Sequence, residues 1–176
     1  VETAWRTKAV RCGAPSAAQA SLVIRHRTEF ARKLHSASFF ALKLFLLAGC
    51  GLENRLIFQP STEIVRTPRD VGLAYQDLYF TTTDHVRLNG WFIPHPQAST
   101  TMLWFHGNAG NMSDRLNNIR SLHDKNRISI FIFDYRGYGQ STGRPSEEGT
   151  YRDAEAAWKY LTETRGIAPN QIVIHG

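Results

Sequence analysis

Thr101-Met102-Leu103-Trp104-Phe105-His106-Gly107-Asn108-Ala109-Gly110-Asn111 joins an apolar run to a glycine-bearing turn. Its first five residues form a short apolar run with the length of a buried strand. From Met112 onward, Leu116, Ile119 and Leu122 recur at helical spacing. The glycine-bearing turn between strand and helix lets the backbone approach a ligand closely and aim its N–H groups at it. Two further strands follow: Ile128 to Phe133 runs into Asp134-Tyr135-Arg136-Gly137-Tyr138-Gly139, and Ile172 to His175 runs into Gly176. Together these are the first parallel strands of an α/β sheet, in which ligands bind outside the carboxyl ends of the strands.

Toward the N-terminus, Leu78 to Thr83 and Val86 to Ile93 are rich in β-branched and aromatic residues and are separated by Asp84-His85, which predicts an antiparallel hairpin. The full order is then β-β-β-α-β-α-β. The first helix is expected from about Ser113 to Lys125. The second opens at Pro145-Ser146-Glu147-Glu148, with Ser146 as its cap and Tyr151, Ala154, Trp158 and Leu161 as its buried face. His85 and His95 lack the matched spacing of a metal site and read as exposed loop residues. Residues 75–176 form the domain. Residues 51–74, with Pro60, Pro68 and their polar neighbours, read as a linker carrying a small apolar plug, Leu56-Ile57-Phe58.

The charge of the chain is divided unevenly. Residues 1–50 hold eight Lys/Arg and two Asp/Glu, whereas residues 51–176 hold thirteen of each sign, so the whole net charge of +6 lies in the leader. A nucleic-acid interface, which needs a basic patch on the domain, loses its support. Arg25, Arg27, Arg32 and Lys33 precede an apolar run from Ala37 to Gly51 that is too short to span a bilayer and contains Lys43. A positive region, a short apolar core and small residues in that order fit a secretory signal. Leu47-Ala48-Gly49-Cys50 resembles the lipobox of bacterial lipoproteins, which makes Cys50 the expected lipidation site and the membrane the expected partner of the leader. A cytoplasmic protein is the alternative if the leader does not function. With Cys12 as the remaining cysteine, neither a disulfide framework nor a metal centre is expected.

The run from Leu56 to Gly176 resembles the N-terminal half of an α/β-hydrolase. It is closest to abhydrolase-type serine hydrolases of the serine aminopeptidase-like group, which carry HGNxGN after strand three and DYRGYGxSxG after strand four. The first motif stands at His106 to Asn111 and the second at Asp134 to Gly143. The resemblance implies a partial sheet, an antiparallel hairpin then parallel strands with helices on both faces, truncated at the nucleophile elbow. Gly176 would be the first glycine of G-x-S-x-G, and the nucleophile, acid and histidine would all follow it. His106 and Asp134 precede the elbow and so fall outside the triad. The resemblance gives the backbone N–H of Asn108 one half of the oxyanion hole, with Gly107 and His106 shaping its loop.

The implied activity is acyl transfer on an ester, thioester or amide of a small or acyl substrate, without a cofactor or metal. The alternative is a non-catalytic scaffold on the same fold. A dinucleotide site is not expected: Gly137, Gly139 and Gly143 are spaced one residue too far apart, and Arg144-Pro145 precedes the helix. The 176 residues alone are expected to be inactive, and insoluble or only partly folded, because the apolar edge of the fifth strand is left uncovered.

Overall fold

The computed structural model describes residues 53–176. Cys50, Cys12 and the leader lie outside the described residues. Among the described residues seven strands occur: β1 (Gln59–Pro60), β2 (Gln76–Thr81), β3 (Arg87–Ile93), β4 (Thr101–Trp104), β5 (Ala109–Gly110), β6 (Ser129–Phe133) and β7 (Ile172–His175). The two main helices are α1 (Leu116–Asn126) and α2 (Glu147–Lys159), and a π-helical turn at Tyr160–Thr164 extends α2.

Five strands form one sheet in the order β2-β3-β6-β4-β7. The hairpin β2–β3 is antiparallel, as is the join of β3 to β6, while β6–β4 and β4–β7 are parallel. The chain leaves β4 for β6 on one side and returns from β6 to β7 on the other. The carboxyl end of β4 is therefore the point where the strand order reverses, and that is where open α/β sheets place their ligands.

Alternation along the strands divides the core into two layers, because successive side chains point to opposite faces. Trp91, Ile93, Met102, Trp104, Ile130 and Ile132 pack with Leu116 and Ile119 of α1. Leu88, Phe92, Leu103, Phe131 and Phe133 pack with Ala156 and Ala157 of α2, and with Leu161 beyond it. All five residues of β6 are buried, as expected of a strand covered on both faces. The expected partial α/β-hydrolase sheet is present, with a helix on each face.

The predicted cap holds: the Ser146 hydroxyl accepts the N–H of Gly149 at 3.1 Å. The predicted buried face of α2 does not. Tyr151 is exposed and Ala154 and Trp158 are half-buried, whereas Asp153, Ala156 and Ala157 are buried. The cause is Asp153, whose carboxylate binds Arg136 and turns a polar residue inward. Leu161 is buried as expected, from the π-helical turn. His85 is exposed, but His95 is half-buried, its ring 4.8 Å from that of His123. It packs against α1 and is not a free loop side chain. No cluster of three potential metal ligands occurs among the described residues.

Candidate active site

The turn after β4 ends by capping the short 3-10 turn Met112–Arg115 that leads into α1. The Asn111 side chain accepts the N–H of Ser113 at 2.9 Å, and the Asp114 carboxylate accepts the N–H of Asn111 at 2.9 Å. This reciprocal box satisfies donors that a helix start leaves unpaired. The cap also reaches backward: Asn111 Nδ2 donates to the carbonyls of Ser61 and Glu63 at 3.2 and 2.6 Å. The segment before β2 is thereby fastened to the turn. β1 pairs with β5 in parallel, Gln59 opposite Ala109 and Pro60 opposite Gly110.

The three expected site residues, His106, Gly107 and Asn108, lie together on this turn. His106 is buried, while Gly107 and Asn108 are exposed. The His106 Nδ1 lies 2.7 Å from the Gly107 carbonyl and donates to it. No peptide among the described residues is cis. In a planar trans peptide the N–H points opposite to the C=O. Tying the Gly107 carbonyl inward to the buried imidazole therefore turns the Asn108 N–H outward. Among the described residues that N–H meets no acceptor.

The next peptide is held as well. The Asn108 carbonyl accepts the Gln59 N–H at 2.9 Å and the Tyr138 hydroxyl at 2.7 Å. The Asn108 side chain donates to the Ile57 carbonyl at 2.7 Å. Both peptide planes that flank Asn108 are thus fixed by partners from three separate segments. Burial raises the Tyr138 phenol above its ordinary range, which keeps it a donor.

Asp134, fully buried at the end of β6, joins this turn to the next loop. Its Oδ1 accepts the Met112 N–H at 2.7 Å and lies 3.2 Å from His106 Nε2. Its backbone N–H donates to Asn89 and its carbonyl accepts the Ser141 hydroxyl. The loop is braced further by Arg136, whose Nε and backbone N–H each donate to Asp153 at 2.9 Å. The same guanidinium holds Asp84 in the β2–β3 turn at 2.8 and 3.0 Å. That pair, with Thr82, drives the Asp84 carboxyl far below the usual carboxylate range. Burial pushes Asp153 the other way, upward, outweighing the hydrogen bonds from Arg136. Tyr135, beside His106 with ring centroids 5.0 Å apart, is raised above its usual range by burial.

The end of β7 lies against the same turn. The Phe105 N–H donates to the His175 carbonyl at 2.8 Å, and a Cβ placed on Gly176 would sit 3.7 Å from that of Phe105. A groove of about 400 Å³ lined by Tyr79, Phe80, Lys159, Tyr160 and Glu163 lies elsewhere, at β2, and contains none of these residues.

The sequence alone does not single out Tyr138, and its apolar periodicity leaves Asp153 off the buried face. The signal for Tyr138 is a large aromatic between two turn glycines, where a solvent-facing turn would carry a polar residue.

No protein-family model matches the chain. An alpha/beta hydrolase domain-containing protein of Arabidopsis thaliana, WAV2, is 35% identical over 152 residues, covering 80% of this chain and 49% of the relative. The uncharacterized membrane protein YNL320W of Saccharomyces cerevisiae is 33% identical over 128 residues, 70% of this chain and 45% of the relative. The chain thus spans about half the length of these curated relatives. Among solved structures, the Pyrococcus furiosus esterase Pf2001 superposes with a TM-score of 0.58 at 24% identity, covering 67% of this chain and 45% of that one, a likeness that bears on the fold. Named relatives, strand order and both loop motifs agree: the chain belongs to the α/β-hydrolase superfamily, and its described part carries the N-terminal half of that fold.

Proposed function

We propose that this chain is the N-terminal part of a serine hydrolase that cleaves an ester, thioester or amide by acyl transfer, and that the Asn108 N–H is one of its oxyanion donors. The observation that supports this most is the outward-facing, unengaged N–H of Asn108 on a turn that touches the end of β7. In the superfamily the nucleophile elbow follows that strand, and the second donor comes from the residue after the nucleophile. A donor held in advance at the developing oxyanion contributes about 2.7–4 kcal/mol to lowering the barrier. His106 and Asp134 take structural parts in this reading: the imidazole sets the Gly107–Asn108 peptide, and the carboxylate secures Met112.

In the same proposal the protein is held at a membrane through lipidated Cys50. The signal-like stretch ending in Leu47-Ala48-Gly49-Cys50 supports this, as does the description of YNL320W as a membrane protein. No helix among the described residues is long and apolar enough to cross a membrane.

Fluorophosphonate labelling of the intact, full-length protein tests the enzymatic reading. Covalent labelling, abolished when the elbow serine is changed to alanine, is the expected result. A folded intact protein that does not label would overturn it and leave the fold serving as a binding scaffold.

A further inference from the structure

We infer that Tyr138 is a positioning residue for the oxyanion donor, acting through the Asn108 carbonyl; the inference rests on the serine hydrolase reading above. The Asn108 N–H lies in the Gly107–Asn108 peptide plane, and the plane that follows anchors the same residue through its carbonyl. The plane before it is set by His106 through the Gly107 carbonyl. The plane after it is set at the Asn108 carbonyl, where the Tyr138 hydroxyl at 2.7 Å and the Gln59 N–H at 2.9 Å converge. The two donors differ in rigidity. Gln59 lies in an exposed two-residue strand, whereas Tyr138 is fully buried. Its ring is wedged edge-on against His106 at 5.5 Å and Tyr135 at 6.1 Å.

Tyr138 thus connects the two loop motifs, reaching a residue thirty positions earlier. Its own backbone is fixed by the loop after β6, through its N–H to the Tyr135 carbonyl and the Ser141 N–H to its carbonyl, both at 2.9 Å. The phenolic hydrogen bond thus ties the loop after β6 to the Asn108 carbonyl, beside the Asp134–Met112 bond that joins the same two loops. Because the ring contacts His106 as well, one side chain bears on both peptide planes that flank the donor. Removing the hydroxyl leaves the carbonyl attached only to the exposed strand, so Asn108 is anchored less firmly and its N–H spends less time aimed at the oxyanion.

The test uses the intact protein, with Tyr138→Phe as the variant and an aryl acyl ester and its thiono (C=S) counterpart as probes. Active sites are counted by fluorophosphonate labelling and folding by thermal denaturation. The expected result is a fall of about tenfold in kcat per labelled site on the oxo ester, smaller than the loss on deleting a whole donor, with KM unchanged within about twofold. The thiono ester depends less on hydrogen-bond donors at the developing anion, so its rate should fall less and the oxo-to-thiono rate ratio should drop. A merely structural role would lower both rates together, or lower the number of labelled sites. Gln59→Pro, which removes the other donor to the same carbonyl from an exposed position, should shift the ratio in the same direction. Unchanged kcat per site, or an equal loss on both esters, overturns the inference while leaving the hydrolase reading intact. A wild-type protein that neither labels nor turns over either ester overturns both.

Discussion

The carboxylate of Asp134 accepts the backbone N–H of Met112 at 2.7 Å, so the residue at the end of β6 holds the start of the helical turn that follows β4. Both groups are buried. A buried N–H deprived of its acceptor costs about 1–3 kcal/mol, toward the upper end where the acceptor is charged. Asp134→Ala should therefore destabilise the protein by about 2–3 kcal/mol, read as a lower urea midpoint at unchanged m. Asp134→Asn can keep one oxygen on Met112 and should lose less. Equal stability of wild type and Asp134→Ala would refute the linkage.

The space beside this carboxylate sets a second test. Gly139 has φ +47°, and a Cβ there would lie 1.9 Å from Asp134 Oδ2. Gly139→Ala must displace a buried carboxylate and strain the backbone, and should cost more than about 3 kcal/mol. Gly166 has a similar φ of +65°, and a Cβ there would meet nothing within 4 Å. Gly166→Ala should cost only the backbone strain, about 1 kcal/mol. Urea unfolding of both variants checks the contrast, and similar losses would contradict it.

The Arg136 network makes acid stability dependent on Asp84. Its folded-state pKa is depressed, first by the Arg136 hydrogen bonds and then by Thr82, with Arg152 adding at 3.0 Å. A depressed carboxyl contributes stability that is present above its unfolded value, about pH 4, and is lost as pH falls toward the folded value. Asp153, raised by burial, has the opposite sign: it costs stability when ionised and relieves that cost as it protonates. Asp84→Asn should therefore flatten the fall in stability below about pH 4, measured as the urea midpoint against pH. An unaltered acid limb would contradict the assignment.

Much of this architecture can be read in the chain because it rests on local periodicity. The β2–β3 hairpin, the nearly all-apolar β6, the Ser146 cap and the two loop motifs each follow from residues close in sequence. The buried face of α2 cannot be read that way, because the pull on Asp153 comes from Arg136, seventeen residues earlier. A pattern of apolar residues alone favours Tyr151 and Trp158, which the structure leaves exposed and half-buried. The pairing of β1 with β5 involves two residues on each side and joins Gln59 to a turn fifty residues away, so no local signal marks it. Tyr138 is hidden for a related reason: its partner is a backbone carbonyl, and sequence does not show where carbonyls point.

Val173 and Ile174 of β7 are 50% and 62% exposed. An uncovered apolar edge is a template for pairing with other chains. Residues 1–176 expressed alone should therefore sediment as aggregates or unfold without cooperativity. A soluble monomer with a single sharp transition would contradict this.

A crystal structure of the intact protein carrying a fluorophosphonate adduct would show what the Asn108 N–H faces. The expected result is a phosphoryl oxygen about 2.7–3.1 Å from the Asn108 backbone nitrogen, with the Tyr138 hydroxyl still on the Asn108 carbonyl. An adduct whose phosphoryl oxygen lies elsewhere, with the Asn108 N–H turned to solvent, would contradict the proposed oxyanion role of that N–H.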